Sequence, residues 1–252
     1  MTSPSKVVLI TGAGSGFGKL TAIALSARGH HVIATTETQE QADALHNEQP
    51  QLEVVKLDIT TDDIQKVLDY DIDVLINNAG MGKTGPIADV PFDIIQRIFE
   101  VNVFGTLKIS QVALKKMIEK KSGRIIILSS IAGVISAPSF GPYAMTKFAL
   151  EAMGKAMRSE VAPLGVDVTL VNPGPYNTGF NDRMADSMWE WFGEHSLNGS
   201  EAAMFQAIRE FAFADQLDPA EVAELLVELV EAEKTAENNF IPADIKTQLG
   251  LA

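Results

Sequence analysis

Residues 6–18 read Lys6-Val-Val-Leu-Ile-Thr11-Gly-Ala-Gly-Ser-Gly-Phe-Gly18. The short continuous apolar run at its start is the pattern of a strand buried on both faces. Glycines follow at 12, 14, 16 and 18, and Lys19 to Arg28 then reads as a helix closed by Gly29. A strand, a glycine turn and a helix in that order let the backbone approach a phosphate, with the unpaired N–H groups of the helix N-terminus facing it. The spacing is Gly12-x3-Gly16-x-Gly18, which departs from the G-x-G-x-x-G fingerprint. It is not a P-loop: Ala13 stands five before Gly18, and Leu20 follows Lys19 where Ser or Thr is required. The alternative reading is a tight turn that holds no ligand.

The same alternation continues to the end of the chain. Strands are expected at His31–Thr35, Leu52–Leu57, Asp73–Asn77, Gly123–Leu128 and Val166–Val171, with a short one at Asn239–Pro242. Helices are expected at Gln39–Asn47, from Asp62, over Phe92–Lys121 with a break near Val101-Asn-Val, and over Pro142–Ala162. Regular alternation implies an α/β fold: a doubly wound parallel sheet of about seven strands with helices on both faces. No repeat or linker divides the chain, so one domain over 1–252 is expected. Ligands of such sheets sit beyond the carboxyl ends of the strands. Thr11, Asn77, Ser129 and Asn172 are the expected ends.

Composition limits the function classes. Net charge is −13, from 33 acids and 20 bases, which argues against nucleic acid and anionic membranes as partners. There is no cysteine, so disulfides and thiolate metal sites are excluded. His30, His31, His46 and His195 make no metal-spaced set, and no metal is expected. Neither an apolar leader after Met1 nor a run long enough to span a membrane is visible, and a soluble cytoplasmic protein is expected.

Ser130 to Lys147 carries the chemistry. Pro142 suits the start of a helix, and Tyr143 and Lys147, four apart, then share one face. A free phenol titrates near ~10, and bringing it to about 7 takes ~4 kcal/mol of preferential stabilisation of the phenolate. The ammonium, helped by a second positive charge, is the expected source. Ser130 is placed to donate to the same substrate oxygen. The alternative is an ordinary exposed helix face.

Taken together, these motifs resemble the short-chain dehydrogenase/reductase family. Thr11-Gly-x3-Gly-x-Gly18 is similar to its cofactor loop, and Asn77-Asn-Ala-Gly80 to the motif after its fourth strand. Asn102, Ser130, Tyr143 and Lys147 match its catalytic tetrad, and Pro173-Gly-Pro-Tyr-Asn-Thr178 its nicotinamide segment. The resemblance runs from about residue 6 to about 180 and implies a Rossmann-type sheet. It implies an oxidoreductase moving a hydride between a nicotinamide cofactor and a secondary alcohol or ketone. Tyr143 would exchange the proton, and Lys147 would depress its pKa and bond the ribose. Ser130 would polarise the carbonyl, and Asn102 would hold a water linking Lys147 to solvent. Gly12, Ser15, Gly16, Phe17 and Gly18 would cradle the cofactor. Asp58, with Ile59, would meet the adenine, Asn78, Ala79 and Gly80 the adenosine ribose, and Pro173, Gly174, Tyr176 and Thr178 the nicotinamide end.

At the end of the second strand stand Thr36 and Glu37, where an acid marks NAD and a base NADP. With no base nearby to meet a 2′-phosphate, NAD is expected and NADP is the alternative. Residues 176–215 are rich in Phe, Met and Trp, read either as an apolar lid or as core or a subunit contact. A lid implies a fairly apolar substrate. The tail from Asp244 lacks the Gly-Gly ending common in the family, while a dimer or tetramer through the helices holding Asn102 and Lys147 is expected from it. Two other readings are a dinucleotide-sensing binding protein and a serine hydrolase built on Ser139.

Overall fold

The computed structural model describes residues 4–248 and 250, so the ends of the N-terminal and C-terminal readings (residues 1–3, 249, 251 and 252) lie outside the described residues. Seven short strands form the sheet: β1 (Val7–Ile10), β2 (His31–Thr36), β3 (Glu53–Lys56), β4 (Val74–Asn77), β5 (Gly123–Leu128), β6 (Val166–Pro173) and β7 (Asn238–Ile241). Their order is β3-β2-β1-β4-β5-β6-β7, and every neighbouring pair is parallel. Parallel pairing demands crossovers, and the helices supply them. They are α1 (Gly16–Ala27), α2 (Gln39–Glu48), α3 (Phe92–Phe99), α4 (Thr106–Glu119), α5 (Gly141–Val161), α6 (Phe180–Asp186), α7 (Ala202–Ala212), α8 (Ala220–Glu231) and α9 (Ile245–Gln248).

Alternate side chains of a strand point to opposite faces, and the core divides accordingly. Val8 and Ile10 join Ala22 and Leu25 of α1 and Val222, Leu226 and Val230 of α8 on one face. Leu9 joins Ile109 and Val112 of α4 and Leu150 and Met157 of α5 on the other. Both faces of β1 are therefore dry, which is why its sequence shows no polar alternation.

The expected break near residue 102 is a π-helical turn, Glu100–Gly105, between α3 and α4. Gly105 is pressed against Ile59, where a Cβ would stand 2.7 Å from Ile59 Cδ1. Wide turns of this kind re-aim a side chain; here the one re-aimed is Asn102.

Candidate active site

The carboxyl ends of β1, β4, β5 and β6 open into one cavity of ≈ 1160 Å³. One arm is backbone. Gly12 has φ +65°, and a Cβ on it would stand 2.8 Å from Ala79 Cα. Only glycine brings the β1 and β4 ends this close. Asn78 Nδ2 donates to the carbonyls of Thr11 and Gly12, both at 2.9 Å, and fastens the loop. Gly18 lies behind the loop, not in the cavity wall; its Cβ would meet Asn78 Nδ2 at 2.4 Å. Gly12, Ser15, Gly16 and Phe17 line the cavity, as do Asn78, Ala79 and Gly80. A cradle of main-chain N–H groups at a helix N-terminus suits the pyrophosphate of a dinucleotide, and the cavity runs on from it in both directions.

Glu37, Asp58 and Ile59 line the end of the cavity beside β2 and β3. Thr36 does not: it is fully buried, and its hydroxyl donates to Thr38 O at 3.1 Å. That hydroxyl is turned into the α2 entry, so the expected ribose contact of Thr36 is corrected. Burial works against the charged form of Asp58. Donors from Thr60 and Thr61, together with Arg97, outweigh it and hold the carboxyl below the usual range. Arg97 was not foreseen. It stands on α3, lines the cavity, and lies 3.6 Å from Glu37. The expectation that no base stands near this end is therefore wrong. A residue sixty positions from Glu37 gives no local signal of meeting it.

At the inner end Ser130, Tyr143, Pro173, Gly174, Tyr176 and Thr178 share the wall. Tyr176 is braced, its ring edge-on to Phe17 at 5.7 Å and its hydroxyl donating to Glu221 at 3.1 Å. Pro142 occupies the first turn of α5, and one turn on, the Lys147 ammonium lies 5.5 Å from the centroid of the Tyr143 ring. Lys147 is buried and donates to Leu128 O at 2.7 Å. Burial pushes the Tyr143 phenol up; the Ser130 hydroxyl favours the phenolate but counts for less. Burial also pushes Lys147 down to about 8, against the pull of Glu151. The expected depression of the phenol is thus reversed in the protein alone. The ammonium is aimed at a carbonyl, and removal from water dominates both groups.

Asn102 is 1% exposed and makes no contact with Lys147. Its Oδ1 accepts from Met81 N–H at 2.8 Å, and its Nδ2 donates to Met81 O at 2.8 Å and Thr146 Oγ1 at 3.0 Å. Both amide hydrogens are engaged, so the side chain braces the loop after β4. Ser139 has φ 67° just before α5. It stands outside the wall of the large cavity, away from any strand end, which leaves the hydrolase reading without a site.

The segment read as lid or core divides in two: part packs on itself and part lines the cavity. Met188, Phe192 and Phe205 form a small cluster of their own. Phe180, Met184, Met204, Ile208, Phe211 and Phe213 line the cavity. Thr84 and Arg209 tie the segment down: the Thr84 hydroxyl donates to Met184 O at 2.9 Å, and Arg209 to Asp186 at 2.5 Å.

A family model described as short chain dehydrogenase matches residues 6–189. A Bacillus subtilis protein described as an uncharacterized oxidoreductase, YusZ, is 33% identical over 89% of this chain and 84% of its own length. A 3-ketodihydrosphingosine reductase of Bacteroides thetaiotaomicron is 36% identical over 70% of this chain and 66% of its own. The crystal structure of a short-chain dehydrogenase from Streptomyces avermitilis superposes with TM-score 0.80 at 30% identity, covering 98% of this chain and 92% of that one.

Proposed function

Because this chain belongs to the short-chain dehydrogenase/reductase family, we propose that it interconverts a fairly apolar ketone and its secondary alcohol with a nicotinamide dinucleotide. The observation that carries this reading is one cavity with a glycine cradle at one arm and Ser130 and Tyr143, backed by Lys147, at the other. The dinucleotide, when bound, supplies or accepts the hydride. Everything else falls to the chain. Gly12, Ser15, Gly16 and Phe17 hold the pyrophosphate, and Thr178 with Pro173 and Gly174 bounds the nicotinamide end. Ser130 orients the substrate oxygen. Tyr143 gives that oxygen its proton in reduction and removes it in oxidation. Lys147 opposes the cost of the phenolate with its positive charge. Asn102 keeps the loop after β4 at its station.

Phe180, Met184, Met204, Ile208, Phe211 and Phe213 make the substrate arm apolar, and the α6–α7 segment serves as its lid. The name of the Bacteroides relative, 3-ketodihydrosphingosine reductase, supports the reduction of a ketone. Self-association through α5 goes with the exposure of Met145 and Phe148, and a dinucleotide supply places the reaction in the cytoplasm. The test is a series of aliphatic and cyclic ketones and secondary alcohols, followed by nicotinamide absorbance with each cofactor. Turnover with kcat/KM rising along the apolar series is expected; none across the series with either cofactor would sink the proposal.

NAD is the cofactor proposed, with Glu37 set against a 2′-phosphate and Arg97 softening that bias. Glu37→Gln should strengthen binding of 2′,5′-ADP about tenfold, the effect of removing one opposed charge near the site. Arg97→Gln should weaken it by a similar factor, and 5′-AMP should change by less than about twofold in both. Calorimetric titration decides it; equal effects on the two nucleotides would refute the assignment.

A further inference from the structure

Glu151 is a buried ionisable group that the proposed reaction leaves unused. It lies one turn beyond Lys147 on α5 and is 4% exposed. Both of its oxygens accept: Oε1 from Asn172 Nδ2 at 2.6 Å and Oε2 from Asn238 Nδ2 at 2.7 Å. The same Asn172 amide donates to Ser130 O at 3.2 Å, and Asn238 Nδ2 also donates to Asn172 Oδ1 at 3.1 Å. The end of β6, the start of β7 and the loop after β5 therefore meet on one carboxylate. On its outer side Lys155 lies 3.6 Å away and half-exposed.

Around Lys147, the β5 end offers a neutral carbonyl, Leu128 O. The following loop offers the neutral Ser130, and α5 itself offers the Tyr143 phenol and Glu151. Glu151 stands one turn further along the same helix, where its negative charge favours the ammonium without an ion pair between the two among the described residues. A lone buried charge is costly, and a buried chain of amides and a carboxylate is retained only when each member is satisfied. Resting on the reaction proposed above, we infer that Glu151 is a positioning residue: it is the counter-charge of Lys147 and, through Asn172, the anchor of the Ser130 peptide. The ammonium and the hydroxyl would then be held in register by one group that touches neither substrate nor cofactor.

The sign of the effect follows from charge. Removing the carboxylate disfavours the ammonium, so Lys147 should lose its proton at lower pH. In protein carrying 13C-labelled lysine, with the Lys147 resonance identified by its loss in Lys147→Met, the titration midpoint should fall by about one pH unit in Glu151→Gln. The alkaline limb of kcat/KM should move the same way. Asn238→Ala keeps the charge and should lower Tm while leaving the midpoint in place. Lys155→Met, at an exposed position, should raise the midpoint and keeps the test open if Glu151→Gln does not fold. An unmoved midpoint in Glu151→Gln, or in Lys155→Met where that is the variant available, overturns the inference. So does an equal fall in Asn238→Ala, which would make the effect one of loosened packing. The midpoint is read without substrate, so it stands apart from the reaction itself, which fails on a different result: normal turnover by Tyr143→Phe.

Discussion

Tyr143→Phe is expected to lower kcat by about 10²–10⁴-fold, the range that a positioned proton donor contributes, or ~3–5 kcal/mol of transition-state stabilisation. The substitution removes one oxygen and little else. The ring keeps its place 5.8 Å from Phe180 and beside the Lys147 ammonium, so the wall of the cavity is preserved. Dinucleotide affinity should stay within about twofold, since uniform binding and chemistry are separable. The raised phenol gives the effect a direction. A phenol that holds its proton can serve reduction across neutral pH, whereas oxidation needs the phenolate and should accelerate as pH rises. Initial rates in both directions, with fluorescence titration of the dinucleotide, make the check. Turnover within tenfold of the unmodified protein would remove Tyr143 from the chemistry and the oxidoreductase proposal with it.

Gly18→Ala should damage both folding and dinucleotide binding. Its Cβ would stand 2.4 Å from Asn78 Nδ2 and 2.8 Å from Gly12 O. One obstacle is backbone and the other is an amide already donating twice, to Thr11 O and Gly12 O. Overpacking costs ~1–3 kcal/mol, and each displaced hydrogen bond about 1 kcal/mol more. The strain falls on the loop that would cradle the pyrophosphate, so dinucleotide affinity should drop at least about tenfold and Tm should fall by several degrees. Gly14→Ala is the contrast. A Cβ there meets only Gln41 and Thr36 side chains at 3.6 Å, an ordinary contact, and affinity and Tm should hardly move. If both variants bind the dinucleotide like the parent, the loop is not its cradle.

The α/β class and the parallel sheet of seven strands were legible in the chain alone. So were the succession of strands and the short final strand, whereas the helices after residue 180 were not read. Each rests on a local pattern: apolar runs of four to six residues, glycines between strand and helix, and a proline at the head of α5. The break at Asn102 was legible for the same reason. The placing of Gly12 and Ser130 just past strand ends, and of Tyr143 near the head of α5, followed from that order. Other properties depended on groups distant in sequence and on removal from water. Thr36 is turned away by the carbonyl of Thr38. Arg97 on α3 meets Glu37 across sixty residues of sequence, which only the packed chain brings about. The phenol rises instead of falling because burial outweighs an ammonium that is engaged by Leu128 O. Glu151 reads as one more acid on a helix until Asn172 and Asn238 close around it. Periodicity and spacing are written residue by residue, whereas the charge state of a buried group depends on what surrounds it in three dimensions, and that is decided only when the chain has packed.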